Sequence, residues 1–593
     1  METTVTTSEP QDNGITAAFR HRRGERSSKK IPVWLLKHAR RLYYRLCSSG
    51  GWRLAGFGRR EARQRSLQTG AFVISQPKPS WTRVMVFSSV TFLFLFLPIV
   101  LACYCLAYLP VWFGSGKRVW WHLCNLYLLA VSLVFYFWGE KFLIWVFVAT
   151  VLIDFVCALL ISGAYRRGPY TRLQPKGVRT RFQKTVLIVS ICSNMALLGY
   201  FKYFNFGVET YNSVVTAAGF TGSAWTDAPK VLLPLGISFF VFHSMSYTID
   251  VYRGFVTATR NVVDYACYVL MFPQLVAGPI VRYSAVARQL VERRLTAPVF
   301  ASGVARFVAG LAKKVLIANT VSVVADRIFA LRSGQVSFSI AWLGVMAYSV
   351  QIYFDFSGYS DMAIGLGRML GFELPINFNY PYFASSIREF WRRWHISLST
   401  WFQDYLYIPL GGSRHGQPST YVNLVTVFFL CGLWHGAKWT FVAWGLYHGV
   451  FLVLERFGLG AAIGRIRPLN HLYALLVVMG GWVLFRASTF SQALEFWRAL
   501  AGLTSVSATY PIVWFAGLDF ITAVGAGIVL SAPVVPAALR RLEQFVADAP
   551  EGRRAFYRTA FSTARVTAAC AAMVACAVFL ASGTHNPFIY FRF

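Results

Sequence analysis

Apolar runs of about 20 residues recur along most of this chain, separated by short polar or basic turns. The first is "VMVFSSVTFLFLFLPIVLACYCLAYLPVWF" at 84–113. Others fall at roughly 120–138, 142–163, 185–206, 230–250, 262–281, 299–320, 337–356, 421–434, 437–455, 470–486, 511–533 and 565–582. A helix needs about 20 residues to cross a hydrocarbon core of about 30 Å, so this spacing predicts an all-α, polytopic transmembrane helical protein. Alternating segments of about ten residues, which mark a transmembrane β-barrel, are not seen. Neither is a solenoid repeat.

Residues 1–83 break the pattern. They carry "FRHRRGERSSKK" and "GRREARQR", with no sustained apolar run and no secretory h-region. Within them, "IPVWLLKHARRLYYRL" suits a membrane surface. The expected division is a basic extension over 1–84, disordered or interfacial, followed by a transmembrane domain over 85–593.

Composition agrees with the pattern. The 593 residues are 56% hydrophobic and only 14% charged, against about 25% charged in soluble domains, and the mean hydropathy is +0.48. The net charge of +34 reads as basic loops holding a cytoplasmic face against anionic headgroups, not as nucleic-acid binding. The 10 cysteines lie mostly inside apolar runs, with neither metal-ligand pairing nor a disulfide framework, and read as small hydrophobes.

Loop charge orients the bundle. "YRRGPYTRLQPKGVRTRFQK" (165–184) is strongly basic and should be cytoplasmic. Counting back puts "GEK" (139–141) outside and "GSGKR" (114–118) inside, so the basic tail 1–83 falls outside, against the rule. "RRAFYRTAFSTAR" (553–565) reads as inside, leaving the final "HNPFIYFRF" outside.

Against this background "SSIREFWRRWHISLSTWFQDY" (385–405) stands out. Ser386 and Glu389 are spaced for a capping box, and Pro381 and Pro409 flank the stretch, so a single helix is predicted. On it Arg388, Arg392, His395, Ser399 and Gln403 form one polar stripe. Arg393, Ser397, Thr400 and Asp404 form a second, and Trp391, Trp394, Leu398, Trp401 and Tyr405 an apolar arc. Two readings stand: an interfacial anchor with Arg and Trp at headgroup level, or a helix turning its polar stripes to a wet cavity.

A second polar feature is "FLCGLWHGAKWTFVAWGLYHG" (429–449), where His435 lies between Gly432 and Gly436. An ionisable side chain at membrane depth is costly and points to function, and the glycines leave room for backbone or substrate near the imidazole. His448, 13 residues on, falls on roughly the opposite helical face and reads as structural. In "FDFSGYSDMAIGLGRMLG" (354–371), Asp355, Ser357, Tyr359, Ser360 and Asp361 line the same cavity, orient a histidine or cap a helix. The loop "IPLGGSRHG" lacks phosphate-loop spacing, and HExxH, GxSxG and CxxC are missing from the chain, so metal-dependent proteolysis and a serine nucleophile elbow are not supported.

Several stretches in one order carry a resemblance. "PLGISFFVFHSMSYTIDVYRG" (234–254), "FPQLVAGPIVR" (272–282), "GLAKKVLIAN" (310–319), "YFDFSGYSDMAIGLGRMLGF" (353–372), "FWRRWHISLSTWFQDYLYIPLGG" (390–412) and "LWHGAKWTFVAWG" (433–445) resemble the membrane-bound O-acyltransferase family. They are most similar to its bacterial branch, typified by the alginate O-acetylation membrane protein and related to the D-alanyl transfer protein of teichoic acid modification. The resemblance covers about 85–593. It implies a ring of helices around a thinned centre, with a funnel or tunnel reaching the catalytic histidine of the WHG motif, His435, and a second polar position matching His395. It also implies an acyl thioester donor, acetyl-CoA, that enters from inside and is not a bound cofactor, no metal, and an acceptor on the other side. That acceptor is a periplasmic acetyltransferase or a polysaccharide, and the protein sits multi-pass among the lipids of the cell inner membrane. D-alanyl or another acyl group from a carrier protein is the alternative within the family, and a transporter without transferase chemistry the alternative outside it.

In such a site a neutral imidazole takes the acceptor's proton. Arg392, Arg393 or backbone N–H groups are candidates for the oxyanion, and Trp394, Asp404, Asp355 and Ser357 for positioning. Cys431 is an alternative, covalent nucleophile. Two departures from the branch stand out: its members usually begin near "MVFSS", which here starts at Met85, and position 403 is Gln where Arg is expected.

Overall fold

The computed structural model describes residues 85–114, 118–166, 172–464, 467–504, 510–583 and 586–587. The extension expected over 1–84 lies outside the described residues, as do the last six positions of "HNPFIYFRF". Among the described residues there is no strand.

The first half contains α1 (Leu97–Trp112), α2 (Arg118–Glu140), α3 (Ile144–Ser162), α4 (Arg181–Leu198), α5 (Phe204–Ala217) and α6 (Ile237–Arg253). Three short helices follow: α7 (Val262–Leu270), α8 (Phe272–Leu275) and α9 (Tyr283–Val291). Next come α10 (Ala297–Ala312), α11 (Asn319–Phe329), the 32-residue α12 (Phe338–Met369), and the short pair α13 (Ile387–Arg393) and α14 (Ile396–Phe402). The hairpin of α15 (Gly416–His435) and α16 (Trp439–Leu454) leads through α17 (Gly460–Ile463) to α18 (Arg467–Arg486) and α19 (Phe490–Leu500). The chain closes with α20 (Leu518–Leu530), α21 (Val534–Asp548) and α22 (Glu551–Ala581).

Among the described residues, seven helical runs are long and apolar enough to cross a membrane, or eight if the bent pair α20–α21 is one span. The outer helices present apolar side chains outward: Leu95, Ile99, Leu106, Val134, Trp145 and Phe182 are all exposed. In a lipid solvent that is the expected inversion, and the centre is where polar groups collect. Buried there are His243, Ser244, Asp355, Asn377, His395, Ser397, His435 and His448.

The sequence expectation fails in two informative places. Residues 262–281 are not one span: α7 ends at Leu270, and after the short α8 residues 276–281 run as buried, non-helical backbone through Pro279. Such backbone survives at membrane depth only when protein groups satisfy it. Here the Ile280 N–H donates to Ser397 Oγ (2.9 Å), the Val281 N–H to His243 Nε2 (3.0 Å), and the Tyr268 hydroxyl to the Val281 carbonyl (2.9 Å).

Nor is 385–405 one helix. It breaks between α13 and α14, because the segment 377–379 takes the backbone groups a continuous helix would use. The Asn379 N–H donates to the Arg393 carbonyl (2.9 Å) and the Ile396 N–H to the Asn377 carbonyl (2.9 Å). His395 sits at the break with φ 43° and ψ 54°, a left-handed conformation costing a non-glycine residue on the order of 1–2 kcal/mol.

Long helices meet through glycine. A Cβ on Gly310 would lie 2.5 Å from the Gly358 carbonyl oxygen, and one on Gly365 2.7 Å from that of Gly303, so α10 and α12 cross at backbone contact. The α15–α16 hairpin is built likewise: a Cβ on Gly445 would lie 2.1 Å from the Phe428 carbonyl oxygen, and one on Gly436 2.3 Å from the Phe441 ring. The glycines around His435 therefore admit α16 rather than substrate.

Candidate active site

The helix break delivers the first imidazole. The Ser386 hydroxyl accepts from the Glu389 N–H (3.0 Å) and starts α13, while the Glu455 carboxylate receives the N–H groups of Ile387 and Arg388. Only half of the expected capping box forms, because the Glu389 carboxylate turns back to Ser385. Burial pushes the Glu389 acid up, but hydrogen bonds from the Ser385 N–H and hydroxyl and from Arg393 outweigh it and hold the acid down to about 2.

The left-handed turn aims the His395 ring into the centre, fully buried against the edge of Phe356 at 4.7 Å between centroids. Its Nδ1 lies 3.1 Å from Asn377 Oδ1. That oxygen also accepts the Ser397 N–H (3.2 Å) and hydroxyl (2.8 Å), while the Asn377 amide nitrogen donates to Ser360 Oγ (3.1 Å). A backbone N–H can only donate, so Asn377 faces the turn with its acceptor. The neutral His395 ring must then carry its proton on Nδ1 and offer a lone pair at Nε2. Nε2 has no hydrogen-bond partner among the described residues.

His435 ends α15, its ring centroid 6.5 Å from that of His395. It is enclosed by Trp434, Trp444 and Phe485, with centroids at 5.0, 4.9 and 5.4 Å, and neither ring nitrogen has a hydrogen-bond partner among the described residues. His448 does not point away as its spacing from His435 suggests. The chain reverses between them, and the Trp444 ring separates the two histidines, 4.9 Å from one and 5.2 Å from the other.

Two cavities approach this centre from opposite sides. One, of about 340 Å³, is lined by Arg388, Arg392 and Arg456 around Trp391, Gln403 and Cys431. Arg253 donates to the Asp404 carbonyl (3.0 Å) and Arg179 to the Tyr252 carbonyl (2.6 Å), so this mouth lies on the side of the basic 172–184 segment. The other cavity, of about 130 Å³, is lined by Lys202, Gly236, Ser238, Phe239, Trp434 and His435 among others. Gly236 and Arg253 bracket the 17-residue α6, which spans about 25 Å.

The other sequence candidates distribute unevenly. Arg392 lines the larger cavity, and Trp394 packs beside His395 on Phe390, Phe378 and Trp482. Arg393 is engaged by Glu389 (2.7 Å) and the Asn379 carbonyl (3.2 Å). Asp404 pairs with Arg282 (2.7 Å). Asp355 is bound to Lys314 (2.6 Å), which also reaches the Pro587 carbonyl, and Ser357 is buried on the same helix. Asp361 pairs with Arg306 and Lys313. Ser360, unlike its neighbours, reaches the centre through Asn377. Two residues at the centre lie outside the sequence reading: Asn377, in a loop without periodicity, and Lys202, at the end of an apolar run. Among the described residues no cluster of three or more His, Cys, Asp or Glu could hold a metal.

A polytopic helical bundle with two imidazoles at its centre and a cavity on each side is the architecture of a membrane-embedded transferase. The membrane-bound O-acyltransferase family model matches residues 231–462, which contain both histidines. The chain is 47% identical to the probable alginate O-acetylase AlgI of Azotobacter vinelandii over 71% of its own length and 78% of the relative's. It is 46% identical to that of Pseudomonas aeruginosa (70% and 75% covered), and 34% identical to the peptidoglycan O-acetyltransferase of Helicobacter pylori (72% and 81%). The chain belongs to the membrane-bound O-acyltransferase family. It is a multi-pass membrane enzyme of acyl transfer.

Proposed function

We propose that the protein transfers acetyl from cytoplasmic acetyl-CoA, through the inner membrane, to a hydroxyl acceptor on the far side, in service of exopolysaccharide O-acetylation. The observation that carries this reading is His435, buried in the apolar centre, unpartnered at both nitrogens among the described residues and lining a cavity opposite the arginine-lined one. The names of the relatives support acetyl as the group and a cell-envelope glycan as its destination.

In this mechanism the anionic donor enters between Arg388, Arg392 and Arg456, which complement phosphates, and its thioester reaches the centre. His435 takes the proton of the acceptor hydroxyl as its oxygen attacks the thioester carbon. His395, holding a lone pair at Nε2, accepts a hydrogen bond from another donor group of the acceptor and so orients it. General-base catalysis of this kind contributes about 10²–10⁴-fold. Cys431 lines the arginine-lined cavity and not the one that holds His435, so the base that a cysteinyl route would need does not share its cavity.

The test is CoA release by membranes of the native host, which contain the acceptor, with the full-length chain as sole copy. Acetyl-CoA should be cleaved, and CoA release should scale with enzyme abundance. If only an acyl carrier protein's thioester is consumed, the acetyl-CoA assignment falls. If no thioester is cleaved, a transport role replaces transfer.

A further inference from the structure

Neither histidine supplies one component that acyl transfer needs. When a hydroxyl oxygen adds to a thioester carbon, the carbonyl oxygen becomes an oxyanion, which in an apolar surround requires an aimed donor or cation. His395 cannot supply it, since its one N–H is committed to Asn377. His435 is occupied with the hydroxyl proton. Arg393 is tied to Glu389 and Asn379, and Arg392 lies on the other cavity.

Among the described residues, one ammonium lines the cavity that holds His435: Lys202. It sits in the π-helical turn Gly199–Tyr203, where the extra residue per turn swings it inward; Lys202 is 8% exposed and Tyr200 is 54% exposed. Its Nζ donates to Ser238 Oγ (3.0 Å) and to the carbonyl of Trp434, the residue before His435. Tyr203 fixes the same turn by donating to the Leu433 carbonyl (2.8 Å). An ammonium has three N–H donors, and these bonds use two. No carboxylate pairs with Lys202 among the described residues. A cation without a counter-ion at membrane depth is costly; the Trp434 ring, 5.7 Å from Nζ, offsets part of that cost, and an anion arriving during turnover would offset the rest.

We propose that Lys202 is a catalytic residue, whose remaining N–H binds the thioester carbonyl and stabilises the oxyanion of the tetrahedral adduct. This rests on the transferase reading above. The acceptor oxygen bonds to the acyl carbon while its proton passes to His435 and the C=O electron pair moves to the oxygen facing Lys202. On collapse the C=O re-forms, the C–S bond breaks, and the thiolate takes the proton from the His435 imidazolium. The products are an ester and a free thiol. Lys202 keeps its own protons throughout.

The experiment measures acetyl-CoA-dependent CoA release in host membranes carrying Lys202→Met, Lys202→Arg, Lys202→Gln or His435→Gln in the full chain. Lys202→Met should lower kcat by about 10²–10³-fold with KM for acetyl-CoA nearly unchanged, at equal abundance and similar melting temperature. Lys202→Arg, which keeps the cation, should retain a clearly larger share of kcat than Lys202→Gln. If Lys202→Met does not accumulate, the Arg and Gln pair decides, and equal rates from the two overturn the inference. A Lys202→Met protein with wild-type kcat beside an inactive His435→Gln protein overturns the Lys202 role alone. Near-normal rates from His435→Gln overturn the base role of His435, and no CoA release from the unsubstituted protein overturns the transferase reading beneath it.

Discussion

At the residue scale the chemistry depends on one amide. Asn377 Oδ1 is the acceptor shared by the Ser397 N–H, the Ser397 hydroxyl and His395 Nδ1. Replacing it with Ala frees the imidazole to change tautomer and leaves a buried N–H without a partner, a loss of about 1–3 kcal/mol. Asn377→Ala should therefore lower transfer by roughly tenfold or more and depress the melting temperature. Asn377→Asp keeps an acceptor oxygen and should retain the larger share of activity. Initial rates at matched abundance check this, and an Ala variant as active as the Asp variant would count against the tautomer. His435 was legible in the sequence because an ionisable group interrupts an apolar run. Lys202 was not: in "GYFKYFNF" a lysine near the end of such a run reads as one reaching for headgroups, and only the π-helical turn brings it inside.

At the element scale the long helices were legible and the centre was not. Hydrophobic period finds spans such as α2, α3 and α22, because lipid demands an apolar surface over the whole length. It fails at 262–281 and 385–405, where partners distant in sequence supply the hydrogen bonds: His243 and Ser397 for the Val276–Arg282 backbone, Asn377 and Asn379 for the break at His395. The α10–α12 crossing gives a prediction at this scale. Gly310 and Gly358 touch through backbone, and a Cβ on Gly358 would stand 2.7 Å from the Gly310 carbonyl oxygen. Gly358→Leu should force the helices apart, costing about 1–3 kcal/mol or more. Because α12 carries Ser360 and Phe356 to His395, activity should fall with it. Thermal unfolding in detergent reads the first effect, and an unchanged melting temperature would show that the crossing tolerates side chains.

At the scale of the whole molecule, the bundle is a partition with reactive groups buried inside it and a different chemical character on each side. Three arginines line the approach from the basic side, where a polyanionic thioester meets complementary charge. A small cavity with His435 and Lys202 lines the other approach. The central claim is that His435 is the general base, and Gln at that position keeps size and polarity but cannot take a proton. Acetyl transfer by the full-length His435→Gln protein in host membranes tests this most directly, with His448→Gln as the control whose ring lies behind Trp444. Turnover should fall by about 10²-fold or more in His435→Gln, with abundance and melting temperature nearly unchanged, while His448→Gln stays close to wild type. Near-normal transfer by a well-folded His435→Gln protein would contradict the account.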